Sequence, residues 1–220
     1  MANLFKDLLN ASFIFIVIRV AAPLVYASLS SYVASLAGIP NIAIEGVMNF
    51  AALFGVYFST ISGSAWIGLL GAIAVGIACG IVLSFFTIKM KASPIMVGIA
   101  LNLFSADFAI YLLLLWIGSK GTTASLPSKV LPTIDIPFIK DIPVLGDIVS
   151  GHYFLTYVCL LLTVLLFILV YKTPFGLRMK ACGLDAHAAE SVGIKVNRVR
   201  TIAAVISCFL AALGGAYLSM

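Results

Sequence analysis

The sequence predicts an all-α fold, a polytopic transmembrane helical bundle, and three observations indicate this class. Hydrophobic residues make up 63% of the chain and charged residues only 10%. The mean hydropathy of +1.19 excludes a soluble domain of 220 residues, because such a domain cannot bury that much apolar surface. The apolar residues are also grouped in stretches of about 20, the length that a helix needs to cross a membrane.

Six apolar stretches have this length, and we expect them to form the spans of a single domain, 1–220. They lie at about residues 10–37, 44–62, 64–88, 94–117, 152–171 and 199–220. The first stretch contains Pro23, which predicts an interruption of its helix. It is too long for a signal peptide and lacks a cleavage site with small residues, so we expect the chain to retain it.

Basic residues predict the orientation, because Lys and Arg accumulate on the cytoplasmic side of membrane proteins. The segment 171–200 carries six Lys and Arg residues against Asp185 and Glu190. Lys89 and Lys91 mark a second basic turn. We therefore place residues 172–198 in a cytoplasmic loop.

The segment 118–151 is predicted to be an external loop, because it balances three Lys residues against three Asp residues. Its spaced prolines indicate an extended cap rather than a folded domain. They are Pro127, Pro132, Pro137 and Pro143. With this loop outside, the spans from 44–62 onward alternate in direction without conflict.

The N-terminal region is predicted to contain a broken or re-entrant helix near residues 38–46. Simple alternation of the spans would place Met1 outside, and a cytoplasmic N-terminus would require an additional half-crossing. The sequence Gly38-Ile39-Pro40-Asn41 provides a place for it, because Gly and Pro interrupt a helix. Non-helical backbone at membrane depth is tolerated only where it is buried in protein or lines a cavity.

Polar side chains within the spans are candidate pathway residues, because polar groups in a membrane are costly and need partners. Glu45 lies at the start of a helix, where it either caps the helix or lines a pathway. Asn102 lies about two turns into its span and can bond to another helix, to water or to a substrate. Asp107 is about 140° around the same helix, so it need not share a face with Asn102. Arg19 can extend its long side chain to the membrane interface.

Small residues in the third span indicate close helix packing. Ala72, Gly76 and Gly80 occur at every fourth position, a spacing that allows two helix backbones to approach. The Cys and His residues lack metal-ligand spacing, so no metal or cofactor site is expected. The sequence also lacks a phosphate-binding loop and a nucleophile elbow, so we expect no ATP hydrolysis by this chain. Nothing in it indicates a nucleic-acid partner.

The basic segment before the last span contains residues that are typical of the beginnings and ends of two short helices. Thr173 can cap a helix that begins at Pro174, and Gly183 is expected to end it in a left-handed conformation. Asp185 can cap a second helix, which Gly193 would end in the same way. Polarity alone leaves two interpretations open, a docking surface and a solvated loop.

This segment resembles the cytoplasmic coupling loop of ABC importer permeases, the family that includes the ribose, branched-chain amino acid and nucleoside permeases. The resemblance rests on Thr173-Pro174-Phe175-Gly176-Leu177-Arg178, on Ala181-Cys182-Gly183 and on residues 188–194. Asp185 stands where the family usually has Asn, which caps a helix equally well. The residues implied in coupling to the ATPase are Pro174, Gly176, Arg178, Gly183, Asp185, Ala188, Ala189, Glu190 and Gly193.

Two further motifs are similar to the same family. One is the element from Asn41 to Gly46, which includes Glu45, and the other is the Gly-x-x-x-Asn pattern from Gly98 to Asn102. We take Asn41, Glu45 and Asn102 as candidate residues of the translocation pathway. Asp107 joins them as a candidate that is specific to this chain.

The resemblance implies the membrane-spanning permease subunit of an ATP-driven importer in a bacterial cell membrane. The implied partners are ATP-binding subunits, a second permease subunit, an extracytoplasmic substrate-binding lipoprotein and membrane lipid. Purine nucleosides are the favoured substrates, followed by simple sugars and then amino acids. Family members continue beyond the position of Gly214-Gly215 with further spans, so we expect a C-terminally truncated chain.

Two other classes stay open from the residues. An ion-coupled secondary transporter also uses broken helices around a central site, but its loop would have no ATPase to bind. A polytopic membrane enzyme or an assembly scaffold would be expected to cluster acids or histidines around one cavity. Glu45 and Asp107 alone provide little support for such a cluster.

Overall fold

The computed structural model describes residues 11–118, 129–134 and 151–220. In these ranges, six helices are long and apolar enough to cross a membrane, as predicted, and two short helices lie between the last two spans. The helices are α1 (Ala11–Leu36), α2 (Ile44–Ser62), α3 (Ala65–Ser84), α4 (Pro94–Ile117), α5 (Phe154–Lys172), α6 (Pro174–Leu184), α7 (Ala186–Ser191) and α8 (Val196–Ser219). A π-helical turn, Phe85–Lys89, extends α3 toward α4.

Helix α8 is the central element of the bundle and packs against α1, α2 and α3. All residues from Leu210 to Ala216 are buried, so the helix is surrounded on every side at this level. Gly76 and Gly80 of α3 allow α8 to approach closely, since a Cβ atom at Gly80 would lie 2.8 Å from the Cα atom of Val205. The packing role predicted for the small residues of this span is therefore confirmed.

Helix α1 is antiparallel to α8. Near its end, the Ala37 carbonyl oxygen accepts a hydrogen bond from Nε of Arg200, at the beginning of α8. At the other end, the Arg19 carbonyl oxygen accepts a bond of 3.0 Å from the hydroxyl of Tyr217. Helix α1 has 26 residues, or about 39 Å, which exceeds the ~30 Å hydrocarbon core of a bilayer.

The interruption predicted at Pro23 is wrong, because α1 continues through this residue. Pro23 has no backbone N–H, so it leaves the carbonyl of Arg19 without its helical donor. The hydroxyl of Tyr217 supplies that donor from α8. A neighbouring helix has replaced the missing bond, which is the condition under which proline is tolerated in a membrane span.

Helix α2 is parallel to α8, so α1 and α2 run in opposite directions. The backbone of Gly215 lies directly against that of Met48, where a Cβ atom would overlap the Met48 carbonyl oxygen. About two turns further along α2, a Cβ atom at Gly55 would lie 3.0 Å from Cε of Met220. The non-helical segment 37–43 therefore joins two antiparallel spans rather than dividing one span.

A small antiparallel pairing lies at the opposite end of the bundle from the basic segment. Strand β1 (Thr133–Ile134) pairs with β2 (His152–Tyr153), which leads directly into α5. Arg19 donates a hydrogen bond to the hydroxyl of Tyr153 and lies over its ring, at 4.4 Å from the centroid. The external loop predicted at 118–151 lies outside the described residues except for 118, 129–134 and 151.

The orientation of the bundle is testable by cysteine labelling. We expect an impermeant maleimide to label Ser62→Cys in intact cells, and Ser191→Cys only after permeabilisation, because both serines are exposed at opposite ends. Native Cys182 should stay unlabelled, because its side chain is fully buried and burial raises the pKa of its thiol. Labelling of Ser191→Cys in intact cells would reverse the orientation.

Candidate functional site

The segment 37–43 runs along α8 from the basic end into the interior of the bundle. Ala37 lies at the level of Arg200, and Asn41 lies at the level of Ser207. Seven residues of α8 rise about 10 Å, whereas four residues rise about 6 Å as a helix and reach about 13 Å when extended. The chain must therefore leave the helical conformation here to connect the two levels.

Asn41 satisfies polar groups inside the bundle. Its side chain is only 4% exposed. Its Oδ1 accepts a hydrogen bond of 3.0 Å from the backbone N–H of Ala43, and its Nδ2 donates one of 2.8 Å to Oγ of Ser207. The hydroxyl of Ser207 also shares a hydrogen bond of 2.9 Å with that of Ser30 in α1. Asn41 thus connects the segment to α8 and, through Ser207, to α1.

Asn102 holds the beginning of α2 from the side of α4. Its Oδ1 accepts a hydrogen bond of 2.8 Å from the N–H of Gly46, and its Nδ2 donates one of 2.9 Å to the carbonyl of Ile42. Gly98, one turn earlier, allows the approach, because a Cβ atom there would lie 2.9 Å from Cβ of Ile42. The two residues of the Gly-x-x-x-Asn pattern therefore contact the same turn.

Glu45 lies in the first turn of α2, where the partial positive charge of the helix end stabilises a carboxylate. It is exposed and lines a cleft of about 610 Å³ between α1, α2 and α8. Asn49, one turn further along α2, lines the same cleft and donates weakly, at 3.4 Å, to Ser105 of α4. The volume is within the range of small-molecule sites, which is about 300–1,000 Å³.

Asp107 lies elsewhere. It is exposed on α4 and is absent from the lining of the cleft that contains Glu45. Its position about 140° around the helix from Asn102 explains this separation, because Asn102 faces α2. The structure thus brings Asn41, Glu45 and Asn102 together around one turn and leaves Asp107 apart from them.

Helices α6 and α7 form a compact unit at the basic end of the bundle. Met179 and Cys182 are fully buried and Ala189 is 5% exposed, in a cluster that includes residues of α1, α5 and α8. The predicted caps are confirmed. Thr173 accepts from the N–H of Gly176, and Asp185 accepts from two N–H groups in the first turn of α7.

The predicted left-handed conformation of Gly183 is wrong. Gly183 lies inside α6, which ends one residue later, and its φ angle is not positive. A glycine is needed there for space, because a Cβ atom would overlap the carbonyl oxygen of Leu36 at the end of α1. Gly193 does adopt a positive φ of 87° after α7, as predicted.

A groove lies at the surface between α6 and α7. It has a volume of about 620 Å³ and is lined by Leu177, Arg178, Ala181, Leu184, Asp185, Ala188, Ala189, Val192 and Ile194. The exposed fractions of Leu177, Leu184 and Val192 are 71%, 89% and 80%. Apolar side chains exposed together outside the membrane spans are typical of a surface that binds a partner.

The other residues predicted in this loop have different positions. Pro174 is exposed in the first turn of α6, and Glu190 is exposed on α7. Gly176 is buried, and a Cβ atom there would overlap the carbonyl oxygens at the end of α5. Gly176 therefore allows the sharp turn between α5 and α6.

Sequence reasoning missed Arg200, Ser207, Ser30 and Asn49. Ser30, Ser207 and Asn49 are uncharged polar residues in apolar helices, and this location is the signal that indicates an interhelical hydrogen bond. In the sequence, Arg200 is one of six basic residues in its segment, and no local signal indicates its two carbonyl partners. Among the described residues, no three His, Cys, Asp or Glu side chains are placed to hold a metal ion.

The model of the family described as the branched-chain amino acid transport system / permease component matches residues 13–220. The chain belongs to this permease family. No solved structure is a significant match to the permease.

Several curated relatives of the permease carry transporter names. It is 33% identical over 202 residues to the guanosine ABC transporter permease protein NupQ of Bacillus subtilis, covering 89% of this chain and 63% of the relative. It is 26% identical to the nucleoside ABC transporter permease protein NupC of Lactococcus lactis, with 89% and 63% covered. The ribose import permease protein RbsC of Bacillus subtilis is 45% identical over 56 residues, 26% of this chain and 17% of the relative. The chain thus spans about 63% of the length of the nucleoside relatives.

Replacement of Asn102 tests its role at the beginning of α2. Asn102→Ala leaves the N–H of Gly46 and the carbonyl of Ile42 without these partners, so we expect the free energy of unfolding to fall by about 1–3 kcal/mol. Thermal unfolding in detergent measures the change. Asn197→Ala is the control, because Asn197 is exposed at the beginning of α8, and its effect should stay within about 0.5 kcal/mol. Equal melting temperatures would contradict the role of Asn102.

Proposed function

We propose that the permease is the membrane-spanning part of an ATP-driven importer and that its substrates are purine nucleosides or simple sugars. The observation that carries the proposal is the exposed apolar groove between α6 and α7. In a membrane protein, exposed apolar side chains outside the spans have no lipid to cover them. We therefore expect a soluble partner protein to bind to them. The relatives named as ABC transporter permeases support an ATP-binding subunit as that partner.

The construction of the α6–α7 unit suits the transmission of motion. Its buried residues Met179, Cys182 and Ala189 belong to a cluster that also contains residues of α1, α5 and α8. A packed interior deforms little, so force applied at the groove moves the unit and the helix ends together. Closure of the ATP-binding subunits would thereby shift the helices between states open to each side of the membrane.

The cleft beside Glu45 is the proposed part of the translocation pathway. It offers the carboxylate of Glu45 and the amide of Asn49 on one helix face, next to apolar residues of α1 and α8. A carboxylate accepts hydrogen bonds from hydroxyl groups, which nucleosides and sugars carry. The relative named for guanosine, at 33% identity, favours nucleosides over sugars.

The proposed assembly contains further components. It has ATP-binding subunits on the cytoplasmic side, a second permease subunit within the bacterial cell membrane, and an extracytoplasmic substrate-binding lipoprotein that delivers the solute. ATP hydrolysis belongs to the ATP-binding subunits. The exposed Asp107 of α4 is available for contact with another subunit of this assembly or with the pathway.

Charge introduced into the groove should remove the ATP-binding subunit. We expect Leu184→Asp and Val192→Asp to abolish its co-purification with the permease, because each places a carboxylate in an apolar contact. Val130→Asp is the matched control, since Val130 is 59% exposed in the external segment. Full retention of the ATP-binding subunit by both groove variants would exclude the groove as its binding site. An ion-coupled transporter would retain no such subunit in any variant.

Uptake by membrane vesicles tests the importer and its substrate. We expect vesicles that contain the permease and its partner subunits to take up labelled guanosine only when ATP is supplied. ATP-dependent uptake of ribose or leucine instead would support the proposed importer but would exclude guanosine as its substrate. Uptake driven by an ion gradient without ATP would exclude the importer.

The same vesicles test the pathway residues. We expect Glu45→Gln to raise KM for guanosine by about tenfold, because it removes a charged hydrogen-bond acceptor from the cleft. Asp107→Asn, which lies outside this cleft, is measured beside it. If only Asp107→Asn raised the KM, the pathway would instead lie on the side of α4 that carries Asp107.

A further inference from the structure

Three parts of the chain meet at Arg200. Its Nε donates a hydrogen bond of 3.2 Å to the carbonyl of Ala37, directly after the end of α1. Its Nη2 donates one of 3.3 Å to the carbonyl of Cys182, in the last turn of α6. The side chain itself belongs to the beginning of α8 and is partly buried. One guanidinium therefore bonds to the C-terminal ends of two other helices.

The backbones of α1 and α6 are also in direct contact at this place. A Cβ atom at Gly183 would overlap the carbonyl oxygen of Leu36. A Cβ atom at Gly38 would lie 3.1 Å from Cα of Gly183 and 3.2 Å from Nη2 of Arg200. We call Leu36, Gly38, Gly183 and Arg200 the α1–α6 joint.

The guanidinium suits this position for two reasons. The last carbonyl groups of a helix lack intrahelical donors and carry partial negative charge, so a cation that donates to them is stabilising. Two helix ends meet here, and the planar fork of Arg can donate to both from separate nitrogen atoms. The single ammonium of Lys has no such fork, so it cannot reproduce both bonds in the same geometry.

The joint connects the α6–α7 unit to α1, a helix that is not next to this unit in the sequence. Helix α6 is continuous with α5 through Thr173 and with α8 through α7. Among the described residues, side-chain packing and this joint link it to α1 and to the segment 37–43. That segment leads directly to Asn41 and Glu45, beside the cleft.

We infer that Arg200 is a positioning residue for coupling: the α1–α6 joint transfers movement of α6 to the segment 37–43 and thereby to the beginning of α2. This inference rests on the proposed importer function and assigns a role to a residue outside both the groove and the cleft. Loss of the joint separates ATP hydrolysis from solute movement, while the ATP-binding subunits stay bound at the groove.

The test uses the permease with its partner subunits in proteoliposomes and measures solute uptake and ATP hydrolysis in the same sample. The labelled solute is guanosine, or ribose or leucine if the wild type takes up one of these instead. We expect Arg200→Gln to retain the ATP-binding subunits and to hydrolyse ATP, but to take up at least about tenfold less solute per ATP. Arg200→Lys should lie between this variant and the wild type. Lys172→Gln, which removes an exposed cation at the end of α5, should keep the wild-type ratio.

The outcomes separate the two proposals. Wild-type ratios for both Arg200 variants would overturn the joint and leave the importer intact. If Arg200→Gln fails to assemble, Arg200→Lys decides, since it keeps the charge: a reduced ratio supports the joint and an unchanged ratio overturns it. A wild type without ATP-dependent uptake would overturn the importer, and the joint with it.

Discussion

The structure depends on the need to hydrogen-bond a short piece of non-helical backbone inside a membrane bundle. Between Leu36 and Ile44 the chain leaves the helix, and no lipid can pair with the polar groups that this exposes. The partners of this backbone are Asn102 of α4, Arg200 at the beginning of α8, and the side chain of Asn41 within the segment itself, which Ser207 of α8 holds in place. These bonds hold α4 and α8 beside the segment and the beginning of α2.

Close approach of backbones makes these bonds possible, and small residues make the approach possible. The short side chain of Asn102 reaches α2 because Gly98 and Gly46 let the two helices lie together. In the same way, Gly183 lets α6 touch the end of α1, where the fork of Arg200 can bond to both. One packing principle thus serves the cleft within the membrane and the loop outside it.

Local signals predicted much of this protein. The six spans were evident from apolar length, and the caps at Thr173 and Asp185 were evident from residue type, because a cap bonds within its own helix turn. The predictions for Pro23 and Gly183 were wrong for the opposite reason. At both residues the deciding neighbour is distant in sequence, the hydroxyl of Tyr217 for α1 and the carbonyl of Leu36 for Gly183.

The sequence by itself determined the membrane environment, the number of spans in the described chain, the orientation expected from charge and the motif of the α6–α7 unit. Each of these follows from composition or from spacing within one element. Only the tertiary structure decided that Asn102 bonds to the beginning of α2, that Asp107 lies apart from Glu45, and that Arg200 joins two helix ends. The physical reason is that a hydrogen bond between helices depends on their relative rotation and depth, which packing sets and no single helix encodes.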